Sequence, residues 1–198
     1  MDPKFKLIID SFGRDRFKFN EPLRNYTALS FNGCAKIFFI AFNSSELIKI
    51  VKMCRQLKLP FFIFGTGSKI IMSNTDNLGL VIKNRTKNIQ TISVKGKVTK
   101  LGIGVDEALI EVDSGVSISK FCEYLDSQNL ETGEFKSIPG SIGGNLFLNN
   151  FLQMKAKSIK VLDLESTIWD IESTELSLNK HIILSSIFRI KAKITNKI

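Results

Sequence analysis

The segment from Ile138 to Asn145, Ile-Pro-Gly-Ser-Ile-Gly-Gly-Asn, constrains this chain more than any other. Gly140, Gly143 and Gly144 leave almost no side-chain bulk over seven residues, so the segment is costly to order and needs a close backbone contact in return. Two contacts satisfy that requirement. One is a ligand lying on the main chain, with phosphate at a helix N-terminus, since Pro139 suits the first turn of a helix. The other is a tight crossover packed against the chain's own backbone.

A second glycine-bearing bend lies far upstream. The apolar run Phe61-Phe62-Ile63-Phe64 reads as a strand that delivers the chain into Gly65-Thr66-Gly67-Ser68-Lys69. Successive N–H groups in such a turn form an anion nest, and Thr66, Ser68 and Lys69 add donors. The GxxxxGK[ST] spacing of nucleotide triphosphatases is absent, and so is the third glycine of the dinucleotide fingerprint. A plain strand-ending turn accounts for this bend equally well.

Charge distinguishes the first bend from the second. The chain of 198 residues carries 28 basic and 19 acidic side chains, net +9. Residues 1–85 carry +8, residues 86–150 carry −2 and residues 151–198 carry +3. A basic excess favours anionic partners, either nucleotide phosphates or nucleic acid. No run of five lysines or arginines occurs, and no basic stripe with interleaved aromatics, so a nucleic-acid partner is not expected. Lysine abundance of an AT-rich genome explains the excess as well.

Composition excludes other classes. At 43% hydrophobic and 24% charged the chain is an ordinary globular one. No apolar run approaches the roughly 18 residues of a membrane span, and the first residues hold no secretory core. A cytoplasmic protein is expected. Cys34, Cys54 and Cys122 are odd in number and widely spaced, which argues against disulfides or a zinc ribbon and for core packing. His181 is the only histidine, so no multi-histidine metal site is available. No metal is expected, and His181 reads as a strand-end residue.

Periodicity predicts two lobes. Residues 1–85 read as a mainly parallel α/β lobe. It has a lead helix at 5–12, an irregular stretch from Gly13 to Asn25, a strand at Lys36–Phe42, and a helix capped by Asn43 with Glu46 three residues on. Lys58 near the end of that helix suits its macrodipole, Pro60 ends it, and strands follow at 61–64 and 79–82. Residues 86–198 read as an antiparallel α+β lobe. Strands fall at 88–94, 98–103 and 108–112, with Lys95-Gly96 as a tight turn, and Ser117 caps a helix to about Gln128. Further strands fall at 159–164, 167–171 and 182–192.

The order of these landmarks resembles the UDP-N-acetylenolpyruvoylglucosamine reductase family, whose members are also called UDP-N-acetylmuramate dehydrogenases. Leu23-Arg24-Asn25-Tyr26-Thr27 with Gly33-Cys34-Ala35 is similar to the family's opening. Gly65 to Lys69 is similar to its first flavin loop, Asp113-Ser114-Gly115 to its next landmark, and Ile138 to Asn145 with Asn149 to its IPGxxGG…N segment. The resemblance runs over about residues 22–192. It implies an α+β fold of the vanillyl-alcohol-oxidase type, whose two lobes hold FAD. It also implies cofactor binding by Gly65, Thr66, Gly67, Ser68, Lys69, Gly115, Ile138, Pro139, Gly140, Ser141, Gly143, Gly144 and Asn145. The two bends are then expected to converge on the diphosphate. The family takes electrons from NADPH and reduces an enolpyruvyl double bond in peptidoglycan precursor synthesis.

The chain departs from the family in three places. Lys69 stands where the family has asparagine. Residues 172–181 contain neither the tyrosine nor the arginine of the family's YRxS segment. The chain stops at Ile198, before the family's substrate domain, which is expected to come from another chain if the protein is active. No catalytic residue is therefore carried over. The alternative reading is a non-catalytic flavin- or nucleotide-binding module derived from that family.

Overall fold

The computed structural model describes residues 2–28, 33–70, 78–99 and 102–193. The chain divides into two compact units, Met1–Thr86 and Lys87–Ile198.

Unit 1 is built on a four-stranded sheet in the order β1-β2-β4-β3. Helix α1 (Pro3–Phe12) starts on an Asp2 cap and leads into β1 (Phe17–Pro22). Strand β2 (Cys34–Ala41) is followed by α2 (Ser44–Gln56), β3 (Phe61–Phe64) and β4 (Leu78–Asn84). β2 and β3 both run parallel to β4, while β1 runs antiparallel to β2. The α2 cap is the expected one: Asn43 Oδ1 accepts from Glu46 N–H at 2.9 Å, and Glu46 returns a bond to Phe42 N–H at 2.9 Å. Leu47, Ile50, Val51 and Cys54 form its buried face. Phe12, Phe17 and Phe39 pack edge-on or tilted, with centroids 4.9 to 6.2 Å apart.

Two expectations are corrected in this unit. The stretch Gly13–Asn25 is not irregular, because Phe17 and Phe19 pair with Phe39 and Ile37 to form β1. Its alternation is short and broken by Asn20 (φ +50), which hides the period of two. Lys58 lies outside α2, in the left-handed region at φ +53.

Unit 2 is a five-stranded antiparallel sheet in the order β5-β6-β9-β7-β8. Its strands are β5 (Ile89–Thr99), β6 (Gly102–Asp113), β7 (Ala156–Leu162), β8 (Ile168–Ile171) and β9 (Ile182–Lys191). Helices α3 (Ile118–Ser127), α4 (Ile142–Leu148) and α5 (Asn150–Lys155) connect β6 to β7. Their buried residues share one core with the sheet, where Phe121, Phe135, Phe151 and Phe188 meet at 5.0 to 6.0 Å. The opposite face of the sheet carries a polar cluster beside Leu109 and Ile187. There Glu111 accepts from Gln90 (2.8 Å), Ser185 (3.0 Å) and Lys160 (3.4 Å).

Lys95-Gly96 is not a tight turn. β5 runs straight through it, with a shift of register at that point against β6. The separate strand expected at 98–103 is therefore the end of β5 and the start of β6; its residues 100 and 101 lie outside the described residues. Cys54 and Cys122 are buried and Cys34 is partly so, all as free thiols. His181 stands directly before β9, where its Nδ1 accepts from Ser177 N–H at 3.1 Å. No helix of the described residues is long and apolar enough to cross a membrane.

Candidate functional site

In unit 1 the bend Gly65–Lys69 leaves the C-terminal end of β3. Phe64 is buried and pairs with Lys83 of β4, so the sheet anchors the first residue of the loop. Gly67 sits at φ +76 and is buried, while Thr66 and Lys69 are exposed and Ser68 is half-buried. A Cβ on Gly67 would lie 2.2 Å from Tyr26 O and 3.0 Å from Thr27 Cα, and Ala28 N–H donates to Gly67 O at 3.1 Å. The glycine is therefore required by the chain's own backbone: the loop is pinned onto Tyr26–Ala28. The N–H groups of Thr66, Gly67 and Ser68 take part in no hydrogen bond among the described residues. Three successive amides are left for an outside acceptor, with the Thr66 and Ser68 hydroxyls 3.1 Å apart beside them.

Sequence reasoning passed over Lys83. Its Nζ donates to Gly65 O at 3.1 Å and lies 4.7 Å from the Phe64 ring centroid and 5.3 Å from that of Tyr26. Burial, with repulsion from Arg85, pushes its pKa down to about 8. A lysine ending the apolar run Leu80-Val81-Ile82, one strand away from a glycine bend, is the signal that could have found it. Tyr26 is fixed from the other side, its hydroxyl donating to Glu21 at 2.6 Å and accepting from Lys18 at 2.8 Å.

In unit 2 the expected residues Gly115 and Ile138–Asn145 come together. β6 ends at Asp113, whose carboxylate accepts from Asn88 N–H at 2.9 Å. The following turn is laced to the glycine segment by three backbone bonds. Ile118 N–H donates to Gly140 O (2.9 Å), Ile142 N–H to Val116 O (2.8 Å) and Gly143 N–H to Ser114 O (2.9 Å). A Cβ on Gly143 would fall 2.9 Å from Ser114 Cβ and 3.1 Å from its carbonyl oxygen. Gly140, at φ +113, reverses the chain.

Asn145 is fully buried and its Nδ2 donates to Pro139 O (3.0 Å) and Ser141 O (2.9 Å). It braces the loop rather than facing outward. Pro139 is not in the first turn of a helix, since α4 is capped by Ser141 and begins at Ile142.

The amides at the start of α4 are already engaged. Ile142 and Gly143 bond the β6 turn, while Gly144 and Asn145 bond Ser141. The N–H groups of Gly140 and of buried Ser141 take part in no hydrogen bond among the described residues. A buried amide without a chain partner requires one from outside. The donors of this loop left for an outside acceptor are thus at Gly140–Ser141, one step before the helix. Among the described residues no cluster of His, Cys, Asp or Glu could hold a metal.

A family model described as an FAD binding domain matches residues 35–156, more than half of the chain and all of both loops. UDP-N-acetylenolpyruvoylglucosamine reductase of Clostridium tetani is 28% identical over 92% of this chain and 60% of its own length. The enzyme of the same name from Lachnoclostridium phytofermentans is 29% identical over 83% of this chain and 53% of its own. The chain thus spans a little over half the length of these relatives.

Among solved structures, UDP-N-acetylenolpyruvylglucosamine reductase from Thermus caldophilus superimposes with TM-score 0.63 at 15% identity. It covers 89% of this chain and 62% of that one. Alkyldihydroxyacetonephosphate synthase gives TM-score 0.64 at 14% identity, covering 97% and 42%. A flavoprotein of vanillyl-alcohol-oxidase type from Myceliophthora thermophila gives 0.56 at 12%, covering 82% and 33%. The resemblance to the reductases therefore holds over most of the sequence, the fold is the α+β fold of the vanillyl-alcohol-oxidase type, and the chain belongs to the FAD-binding domain family.

Proposed function

We propose that the chain binds FAD and serves as the flavin-binding part of an oxidoreductase of the UDP-N-acetylenolpyruvoylglucosamine reductase type. The observation that carries this reading is that the family match at 35–156 takes in Gly65–Lys69, Gly115 and Ile138–Asn145 together. The donor chemistry fits the cofactor. Its diphosphate needs fixed N–H donors, and the unengaged amides of Thr66, Gly67 and Ser68 supply them in one unit. In unit 2 the amides of Gly140 and Ser141 are likewise open to a phosphate acceptor, on a loop braced by Asn145 and by the Gly143 N–H bond to Ser114 O. When bound, the flavin supplies hydride transfer. NADPH is the expected electron donor and the enolpyruvyl ether of UDP-N-acetylglucosamine the expected acceptor.

A second reading, a flavin-binding module without that catalysis, is favoured by residues 172–181. Here a short 3-10 turn at Ser173–Glu175 and a loop tied by His181 carry no arginine or tyrosine. One purification tests both. A yellow protein whose absorbance is restored by FAD after stripping supports flavin binding; a colourless protein that FAD does not titrate refutes it. Oxidation of NADPH that depends on the enolpyruvyl substrate supports the reductase. A flavin-loaded protein that never oxidises NADPH, even with the C-terminal domain of a full-length relative added, leaves the binding module.

A further inference from the structure

We propose that Lys83 supplies the positive charge that binds the cofactor's diphosphate on the Thr66–Ser68 amides, and so sets the affinity of this loop for its anion. This rests on the FAD reading above. Lys83 does not face outward as most lysines of the basic unit do. It is half-buried on β4, against the first residue of the loop, with Nζ on Gly65 O and two aromatic rings for walls. Removing an ammonium from water is unfavourable unless an opposite charge faces it. No carboxylate among the described residues lies within ion-pair distance of Lys83. Glu21, which shares Tyr26 with it as a neighbour, is taken by Tyr26 Oη and by Lys18. The cations near it are Arg85, two residues on along β4 and lowering its pKa by repulsion, and Lys18, which shares the Tyr26 ring with it.

Lys83, half-buried beside the unengaged amides and without a carboxylate in ion-pair distance among the described residues, forms with them an anion site that these residues leave uncompensated. A diphosphate on Thr66–Ser68 completes it. Because burial brings the Lys83 pKa down to about 8, the attraction is present at neutral pH and fades above it. Arginine or an exposed lysine would not give that dependence.

The test is FAD affinity, read from flavin fluorescence in stripped protein between pH 6.5 and 9.5, in wild type, Lys83→Met and Lys83→Arg. The diphosphate does not titrate in that range. At pH 7 Lys83→Met should bind about tenfold more weakly, the middle of the usual range for coupled sites. The wild type should weaken above about pH 8 toward the Met value, while both variants stay flat and Lys83→Arg stays tight. Melting of the apo forms separates charge from bracing: Lys83→Met should melt no lower than wild type, whereas a brace on Gly65 O would make it melt lower. Equal affinity and flat profiles in all three proteins, or a lower melting point with an unchanged pH profile, would overturn the role of Lys83 alone. Failure of the wild type to bind FAD at any pH would overturn both this inference and the function it rests on.

Discussion

Gly143 and Gly144 stand side by side in α4, and a methyl group added to each would meet different surroundings. At Gly143 it would press on Ser114 at 2.9 Å and part the α4 turn from β6. At Gly144 it would meet only the Ser141 hydroxyl at 3.4 Å, an accommodating contact on an exposed helix face. Gly143→Ala should therefore cost about 2 kcal/mol in urea unfolding, as overpacking does, and lose FAD as a consequence. Gly144→Ala should be neutral or up to about 1 kcal/mol stabilising, since alanine is the better helix residue. If Gly144→Ala folds normally yet loses FAD, the backbone there approaches the cofactor. If it keeps FAD, Gly144 serves the helix alone. The unmutated pair looked equivalent in sequence, as two adjacent glycines in a motif, because nothing local records that Ser114 comes within 3 Å of only one.

At the scale of elements, the glycine segment is held by one side chain. Asn145 Nδ2 closes two bonds onto Pro139 O and Ser141 O from a fully buried position. Asn145→Asp replaces the donor by an acceptor facing both carbonyl oxygens. It should destabilise the protein by about 2 kcal/mol or more. Amide exchange at Ile118, Ile142 and Gly143, the three rungs to the β6 turn, should speed up first. Uniform exchange across unit 2 would instead mean that Asn145 braces the whole unit. Asn145 was legible as a motif residue, but its inward aim was not, because motif spacing does not say which way an amide points.

The same contrast runs through the elements. α2 and α3 were legible to within a residue or two, because cap, period and buried stripe agree in each. β1 was not, because its pairing with β2 is a long-range event behind a six-residue pattern. The Lys95-Gly96 bulge reads as a turn in the sequence because glycine serves both, and only the partner strand decides between them.

Over the whole molecule the charges pull stability in two directions. Glu46 is pushed up by burial, but bonds from Arg16 and Phe42 N–H more than offset this and leave its pKa below the usual value of 4.5. Hydrogen bonds from Gln90 and Ser185 hold Glu111 down as well. For such groups the stabilisation is present above the unfolded pKa and is lost as pH falls through the folded one. The melting point should therefore be level near neutrality and drop below about pH 4.5. Lys83 acts in the opposite sense. Its folded pKa of about 8 lies below the unfolded 10.5, so its charge opposes folding fully below pH 8, and the penalty shrinks as pH rises from 8 to 10.5. Apo Lys83→Met should thus melt at or above wild type at pH 7, with any gap closing between pH 8 and 10.5. Saturation with FAD should invert that order at pH 7, because ligand binding stabilises by mass action and the charged lysine binds the ligand better. The inversion should be gone by pH 9.5. If apo and FAD-loaded proteins rank the same way at pH 7, the cost of keeping Lys83 in its aromatic pocket is not repaid by the cofactor, and the uncompensated cation serves some other anion.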